Sequence, residues 1–92
     1  MTAYGELFVD EDCQECFSDT LNEWYGNGWR LVPSNTAGIY DPADIPVVIK
    51  ALVMKGKKLL GKVTITVKRE IEHDVSGNYY IGVEPDSIHK DM

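Results

Sequence analysis

The chain has 92 residues, with 15 acidic and 9 basic side chains and 43% apolar residues. A chain of this length buries roughly 60–65% of its extendable surface, which fits one small domain. Its apolar content argues against a disordered chain. No apolar run approaches the ~20 residues of a membrane span, and the N-terminus lacks the basic and apolar stretches of a signal peptide. We therefore expect a cytoplasmic domain with no membrane partner.

The charges are segregated into three blocks along the chain. Residues 1–49 hold nine acids and one base, residues 50–69 hold seven bases and no acid, and residues 70–92 hold six acids and one base. A net charge of −6 therefore conceals a strongly dipolar distribution, which bears on partners rather than on the fold.

The first half of the chain predicts a strand followed by a helix. Aromatic and β-branched residues over 4–9 favour a short strand. Asp12, with Glu15 three residues later, predicts a helix cap. From Cys13 to Trp24 the apolar positions recur at helical spacing and indicate an amphipathic helix. Gly26 is expected to end it.

The second half predicts an antiparallel sheet. Strands are expected over 29–32, 47–54, 62–72 and 78–83, and the segment 33–46 is expected to be a long loop that carries a contact. Alternation places Val63, Ile65, Val67 and Ile71 on one face of the third of these strands. The result is an α+β fold of order β-α-β-β-β-β, with a single helix on one face of a mostly antiparallel four- to five-stranded sheet. The domain is predicted over 1–85, with 86–92 as a flexible tail.

Cys13 and Cys16 form an isolated C-x-x-C pattern. It would suit a redox pair at a helix N-terminus, or half of a metal site completed by His73 and His89, although these histidines lack paired spacing. Burial of both cysteines on the apolar helix stripe is the preferred interpretation. No catalytic triad, nucleophile elbow or phosphate loop is present, so we expect no enzyme activity, no metal and no cofactor.

The basic block is the strongest functional feature. Its side chains could contact the phosphates of RNA or DNA. They could equally protect a sheet edge from aggregation or balance the acidic helix. The predicted contact residues are Lys50, Lys55, Lys57, Lys58, Lys62, Lys68 and Arg69.

The acidic helix offers a second surface. Glu15, Asp19 and Glu23 line one face of the predicted helix and would suit a basic groove on a protein, although a solvated helix face is the more common outcome. Tyr79 and Tyr80 are adjacent in a predicted strand, so one of them must face away from the core and would suit an interface.

Two short segments carry a resemblance. Gly28-Trp29-Arg30-Leu31-Val32 and Val67-Lys68-Arg69-Glu70 resemble a family of small bacterial and phage domains in which a helix leads into a Gly-Trp-x-Leu-Val strand. The resemblance implies the β-α-β-β core over residues 4–71 and nothing catalytic. In size, acidity and charge segregation the chain is also similar in character to phage-encoded anti-CRISPR inhibitors.

These features predict a non-enzymatic binding protein that inhibits a host nucleoprotein complex. Its acidic helix would engage the protein, while Lys55, Lys57, Lys58 and Lys62 would contact bound RNA. One alternative is a small regulatory or structural domain that self-associates through a sheet edge or the Tyr79–Tyr80 strand. Another is a metal or thiol-redox protein that uses Cys13 and Cys16. The expected state is a monomer or weak homodimer.

Overall fold

The structure, a computed structural model, describes residues 3–91. A helical segment forms one layer and consists of α1 (Tyr4–Phe8), a π-helical turn (Val9–Cys13) and α2 (Gln14–Tyr25). The other layer is a sheet of strands β1 (Arg30–Pro33), β2 (Val48–Lys55), β3 (Lys58–His73) and β4 (Tyr79–Asp91). All neighbours pair antiparallel in the order β1-β2-β3-β4. The predicted α+β class is confirmed.

The predicted first strand over residues 4–9 is wrong, because this segment starts the helix. Gly5, Val9, Cys13, Phe17 and Leu21 are all buried and recur every four residues. A regular α-helix of 3.6 residues per turn would rotate such a series away from the core. The wider π-helical turn reduces this rotation and keeps the five residues on the side that faces the sheet.

The helix boundaries correct the predicted cap at one end and confirm it at the other. Asp12 lies inside the π-helical turn, so it does not cap a helix, and no side chain caps α2. The helix ends at Tyr25, and Gly26 follows with φ 76° while its N–H donates to the Asn22 carbonyl at 2.8 Å. Glycine adopts this positive φ without the steric cost that other residues carry.

The core lies between the helix and the sheet. Phe8, Val9 and Leu21 from the helix pack with Ile49, Val53, Val63 and Ile65 from the sheet, each at most 2% exposed. The predicted inward face of Val63, Ile65 and Val67 is confirmed. Ile71, predicted on the same face, is 71% exposed because it lies beyond the end of the helix layer.

The loop between β1 and β2 closes one end of the core. Within it a short 3-10 turn spans Pro42–Asp44, and Thr36 and Ile45 are fully buried. The Asn35 side chain continues the ladder of β2, since it accepts from the Lys50 N–H at 3.0 Å and donates to the Val48 carbonyl at 3.1 Å. The loop therefore lines the core at this end of the sheet.

The last strand is longer than predicted. Residues 86–91, expected in the flexible tail, form the second half of β4 and pair with β3; Met92 lies outside the described residues. A register shift opposite Thr66 and Val67 accommodates Asp86 in the ladder. Within residues 3–91, no helix has the length and apolar character needed to span a membrane.

Candidate functional site

The β2–β3 turn carries the densest group of basic side chains. Lys55 pairs with Lys58 across a two-residue turn of Gly56 and Lys57, and only Gly56 of these two has a positive φ, 62°. Glycine at the first position of such a turn matches the twist of the flanking strands. The three lysines Lys55, Lys57 and Lys58 are exposed and are called the lysine tip below.

The lysine tip lies beside the turn that follows α2. A Cβ added at Gly28 would stand 3.2 Å from Cε of Lys55, so the Lys55 stem lies against the backbone there. Arg30, opposite Met54 in the ladder, donates from its guanidinium to the Gly56 carbonyl at 3.4 Å. The structure thus adds Arg30 to the basic group. The sequence pattern did not indicate this, because Arg30 lies in the acidic block and only the strand register brings it to the tip.

Two of the seven predicted basic residues form ion pairs with carboxylates of the same chain. Lys50 Nζ donates to Thr64 Oγ1 at 2.8 Å and lies 3.9 Å from Asp91, while Thr64 donates to the Asp91 carboxylate at 2.9 Å. Lys68 pairs with Glu70 at 2.9 Å. The hydrogen bond to Glu70 and its charge raise the pKa of Lys68. Neither lysine presents an uncompensated charge to a partner.

The other two predicted bases lie apart from the tip. Lys62 is exposed on the face of the sheet away from the helix, directly opposite Asp91 in the ladder. Arg69 lies on the other face of the sheet, the one that carries Val67, because alternate residues of a strand share a face. The structure therefore brings Lys55, Lys57 and Lys58 together, and it separates Arg69 from them.

The acidic helix face is formed as predicted. Glu15, Asp19 and Glu23 are all exposed on α2. Their spacing of four residues places them along one side of the helix, about 6 Å apart in rise. The two ion pairs found among residues 3–91 join Lys50 to Asp91 and Lys68 to Glu70. The lysine tip is therefore not balanced by ion pairs with this helix.

Edge protection also fails to account for the lysine tip. The tip joins β2 and β3, which are the two central strands of the sheet. The edge strands are β1 and β4, and edge strands are where protective lysines are needed. The tip is therefore a cationic surface that neither of the two structural interpretations explains.

The two cysteines differ in environment, which corrects the prediction that both are buried. Cys13 is fully buried, whereas Cys16 is exposed. Burial, with smaller contributions from Asp12 and Cys16, raises the pKa of the Cys13 thiol to about 12. Because nine helical residues precede Cys13, it is not at a helix N-terminus, where the dipole would lower a thiol pKa.

A groove of about 330 Å³ lies between the helix and β4. It is lined by Asp12, Glu15, Cys16, Val83, Glu84 and Pro85. Residues 3–91 contain no group of three or more histidine, cysteine or acidic side chains arranged to hold a metal ion. The groove brings three carboxylates together with one exposed thiol.

Comparison of the chain with protein-family models, with curated proteins and with solved structures finds no match. The resemblance carried by Gly28–Val32 and Val67–Glu70 remains an expectation.

Proposed function

We propose that this chain is a non-enzymatic binding protein that docks on a nucleoprotein complex through the lysine tip and the acidic helix face. By its character it would act as an inhibitor of the anti-CRISPR type. The observation that carries the proposal is the lysine tip itself. Three exposed lysines, joined by Arg30, form a cationic surface that no described acidic side chain neutralises by an ion pair.

A nucleoprotein complex presents both chemistries that these surfaces would recognise. Phosphates of its nucleic acid are complementary to the lysine tip, and each contact would release counterions and make binding salt-dependent. Basic side chains of its protein are complementary to Glu15, Asp19 and Glu23. A partner with both charges is favoured because the two surfaces of this chain carry opposite signs, whereas free nucleic acid would be repelled by the net charge of −6.

The first experiment identifies the complex and the surface together. The tagged chain is used to capture partners from bacterial lysate, with and without nuclease treatment, and the captured complex is then titrated at several salt concentrations. The test variant is the double substitution Lys57→Glu and Lys58→Glu. The matched control is Lys68→Glu with Lys90→Glu, which changes the net charge equally. Lys68 and Lys90 lie away from the tip, since they pair across β3 and β4 with Glu84 and Val63.

We expect the tip variant to lose at least about tenfold in affinity and to reduce the slope of log affinity against log salt by roughly 1.4–1.8, as two lost phosphate contacts would. The control variant should bind within about threefold of the unchanged protein. Equal binding by the tip variant, with an unchanged salt slope, would contradict the role of the lysine tip. Capture that survives nuclease and depends on Glu15 and Asp19 alone would leave a purely protein-directed inhibitor.

A further inference from the structure

The β3–β4 hairpin continues beyond the rest of the fold. The pairing of β2 with β3 ends at Val48 and Thr66, so residues 68–84 form a two-stranded arm around the Asp74–Gly77 turn. Only Val83 and Glu84, at the base of the arm, lie beside the helix, where they line the groove described above; the helix layer does not cover the rest of the arm. A two-stranded hairpin without a further layer or strand is only marginally stable in water.

Exposed apolar side chains are concentrated on the arm. Ile71 and Ile81 are cross-strand partners, and they are 71% and 41% exposed. Tyr79, at 75% exposure, packs its ring against His73 with centroids 4.5 Å apart. These four side chains share the face that, closer to the helix, carries Val67 and Ile65 into the core. The face of the sheet that is buried near the helix is therefore exposed to solvent along the arm.

The outer edge of the arm lacks the usual protection against strand pairing. β4 is an edge strand, and its segment Tyr79–Val83 contains no charged residue. Edge strands are normally blunted by charges or prolines. The first proline on this edge is Pro85, just beyond the segment, so five consecutive residues are open to another strand.

The phase of the ladder shows which backbone groups point outward. The N–H of Asp74 donates to the Asn78 carbonyl at 3.0 Å. Because hydrogen-bonded pairs alternate along an antiparallel ladder, Tyr80 and Gly82 also face β3. Tyr79, Ile81 and Val83 then direct their N–H and C=O groups away from the sheet. The next outward position is Pro85, which has no N–H and ends the row of donors.

A second copy of this chain can be aligned with that edge in a symmetric register. In an antiparallel pairing centred on Ile81, Ile81 meets its own counterpart, Tyr79 meets Val83, and Tyr80 meets Gly82. The outward groups of Tyr79, Ile81 and Val83 would form about six hydrogen bonds. No like charges face each other, since Glu84 would meet Asn78. Only the two Ile81 side chains would touch across the axis, since Ile71 lies one strand further from the second copy.

We propose that the Tyr79–Val83 edge is a homodimer interface, formed by antiparallel pairing of β4 with β4 of a second copy about a two-fold axis at Ile81. The symmetric register is what favours a second copy over a foreign strand, because one sequence supplies matched residues on both sides. The interface is small, so association is expected in the micromolar range. This inference does not depend on the proposed nucleoprotein docking, since it uses neither the lysine tip nor the acidic helix face.

The test is sedimentation equilibrium of the full chain from about 1 μM to about 500 μM, a range that spans the affinity expected for a small interface. Ile81→Lys places two lysines at the axis. Ile81→Pro removes an outward N–H but leaves the ladder with β3 intact. Ile71→Lys is the matched control, because Ile71 is more exposed and lies on the same face but on the other strand. Circular dichroism confirms that each variant is folded.

We expect the unchanged chain to reach twice its mass of 10.3 kDa and both Ile81 variants to stay monomeric, with the dissociation constant raised at least about tenfold. The Ile71→Lys variant should still dimerise. A monomer throughout the concentration range, or a dimer that Ile71→Lys abolishes while both Ile81 variants retain it, would overturn the proposal. Concentration-dependent protection of the Tyr79, Ile81 and Val83 amides from hydrogen exchange, without such protection at Tyr80 and Gly82, would confirm the register.

Discussion

Two cysteines one helical turn apart are predicted to react very differently. Cys16 is exposed, whereas Cys13 is buried with a thiol pKa raised to about 12. Since the thiolate is the reactive form, a thiol reagent at pH 8 should modify one cysteine of the native protein rapidly and the second only after unfolding. In the Cys16→Ser variant the fast phase should disappear. Two equally fast thiols would contradict the burial of Cys13 at the end of the π-helical turn.

Gly5 illustrates a close approach between the helix and the loop. A Cβ at this position would stand 2.7 Å from Cβ of Thr36 and 2.8 Å from its carbonyl oxygen. The Gly5 N–H also donates to the Ile39 carbonyl at 3.2 Å, which holds the loop against α1.

Gly5→Ala should therefore destabilise the protein, by about 1–3 kcal/mol as overpacking does. At an open helix position the same substitution would stabilise by up to about 1 kcal/mol, so the sign of the change is diagnostic. Urea denaturation of Gly5→Ala beside Ser18→Ala, an exchange on the outer side of α2, would measure it. A gain in stability at position 5 would mean that the loop does not pack there.

At the scale of an element, the turn of the arm depends on one carboxylate. Asp74 accepts hydrogen bonds from the Ser76 N–H at 2.8 Å and the Asn78 N–H at 3.0 Å. These bonds lower the pKa of Asp74 from the ordinary 3.8, and the bond from the Asn78 N–H makes the largest contribution. A carboxyl whose pKa is lowered in the folded turn stabilises that turn above pH 3.8 and loses this effect as the pH falls through the lowered pKa.

We expect the amide protons of Ser76 and Asn78 to titrate with a midpoint below pH 3.8 when followed by NMR between pH 6 and pH 2. The arm turn should loosen in that range while the helix and central strands keep their shifts. The Asp74→Asn variant retains an acceptor oxygen but cannot titrate, so its turn amides should not shift with this midpoint. A midpoint at or above the ordinary pKa would contradict the hydrogen bonds assigned to Asp74.

The helix shows how far sequence periodicity determined an element. Its inward face at Phe17 and Leu21 and its end at Gly26 follow from local spacing and glycine chemistry, and both are confirmed. Its start does not follow. Residues 4–9 favour a strand by propensity, yet they form a helix that buries Phe8 and Val9 against the sheet.

At the scale of the whole molecule, the arm makes the protein elongated. The radius of gyration is 14.0 Å and the longest dimension is 46 Å, whereas a compact domain of this length would have a radius of gyration of about 12 Å. The hydrophobic core is confined to the half of the sheet that the helix covers, so stability should be distributed unevenly along β3.

A pair of substitutions on one face of β3 tests that distribution. Ile65 is fully buried and Ile71 is 71% exposed. Ile65→Ala should lower the free energy of unfolding by about 2–5 kcal/mol, while Ile71→Ala should change it by less than about 0.5 kcal/mol in the monomer. Chemical denaturation at a protein concentration below about 5 μM, where the proposed weak association is negligible, would compare them. Similar losses at both positions would require a covering layer over the arm.

The parts of the candidate site that depend only on charge and local spacing were predictable from the sequence. The acidic line of Glu15, Asp19 and Glu23 follows from helical spacing, and the lysines at the β2–β3 turn follow from the turn signal at Gly56. Pairing of Lys50 with Asp91 was not predictable, because residues 41 positions apart meet only through the sheet register. The inclusion of Arg30 in the tip depends on that register as well.

The sequence by itself determined the α+β class, the helix face, most of the strands and the segregation of charge, since these follow from local periodicity and composition. Tertiary structure alone decided that residues 4–9 are helical, that Cys13 is buried while Cys16 is exposed, and that two of the seven basic side chains are ion-paired with carboxylates of the same chain. It also decided that Ile71 leaves the core and that β4 continues to Asp91 as an open edge. The physical reason is that burial and strand pairing depend on which distant segments cover a residue, and a local pattern does not contain that information.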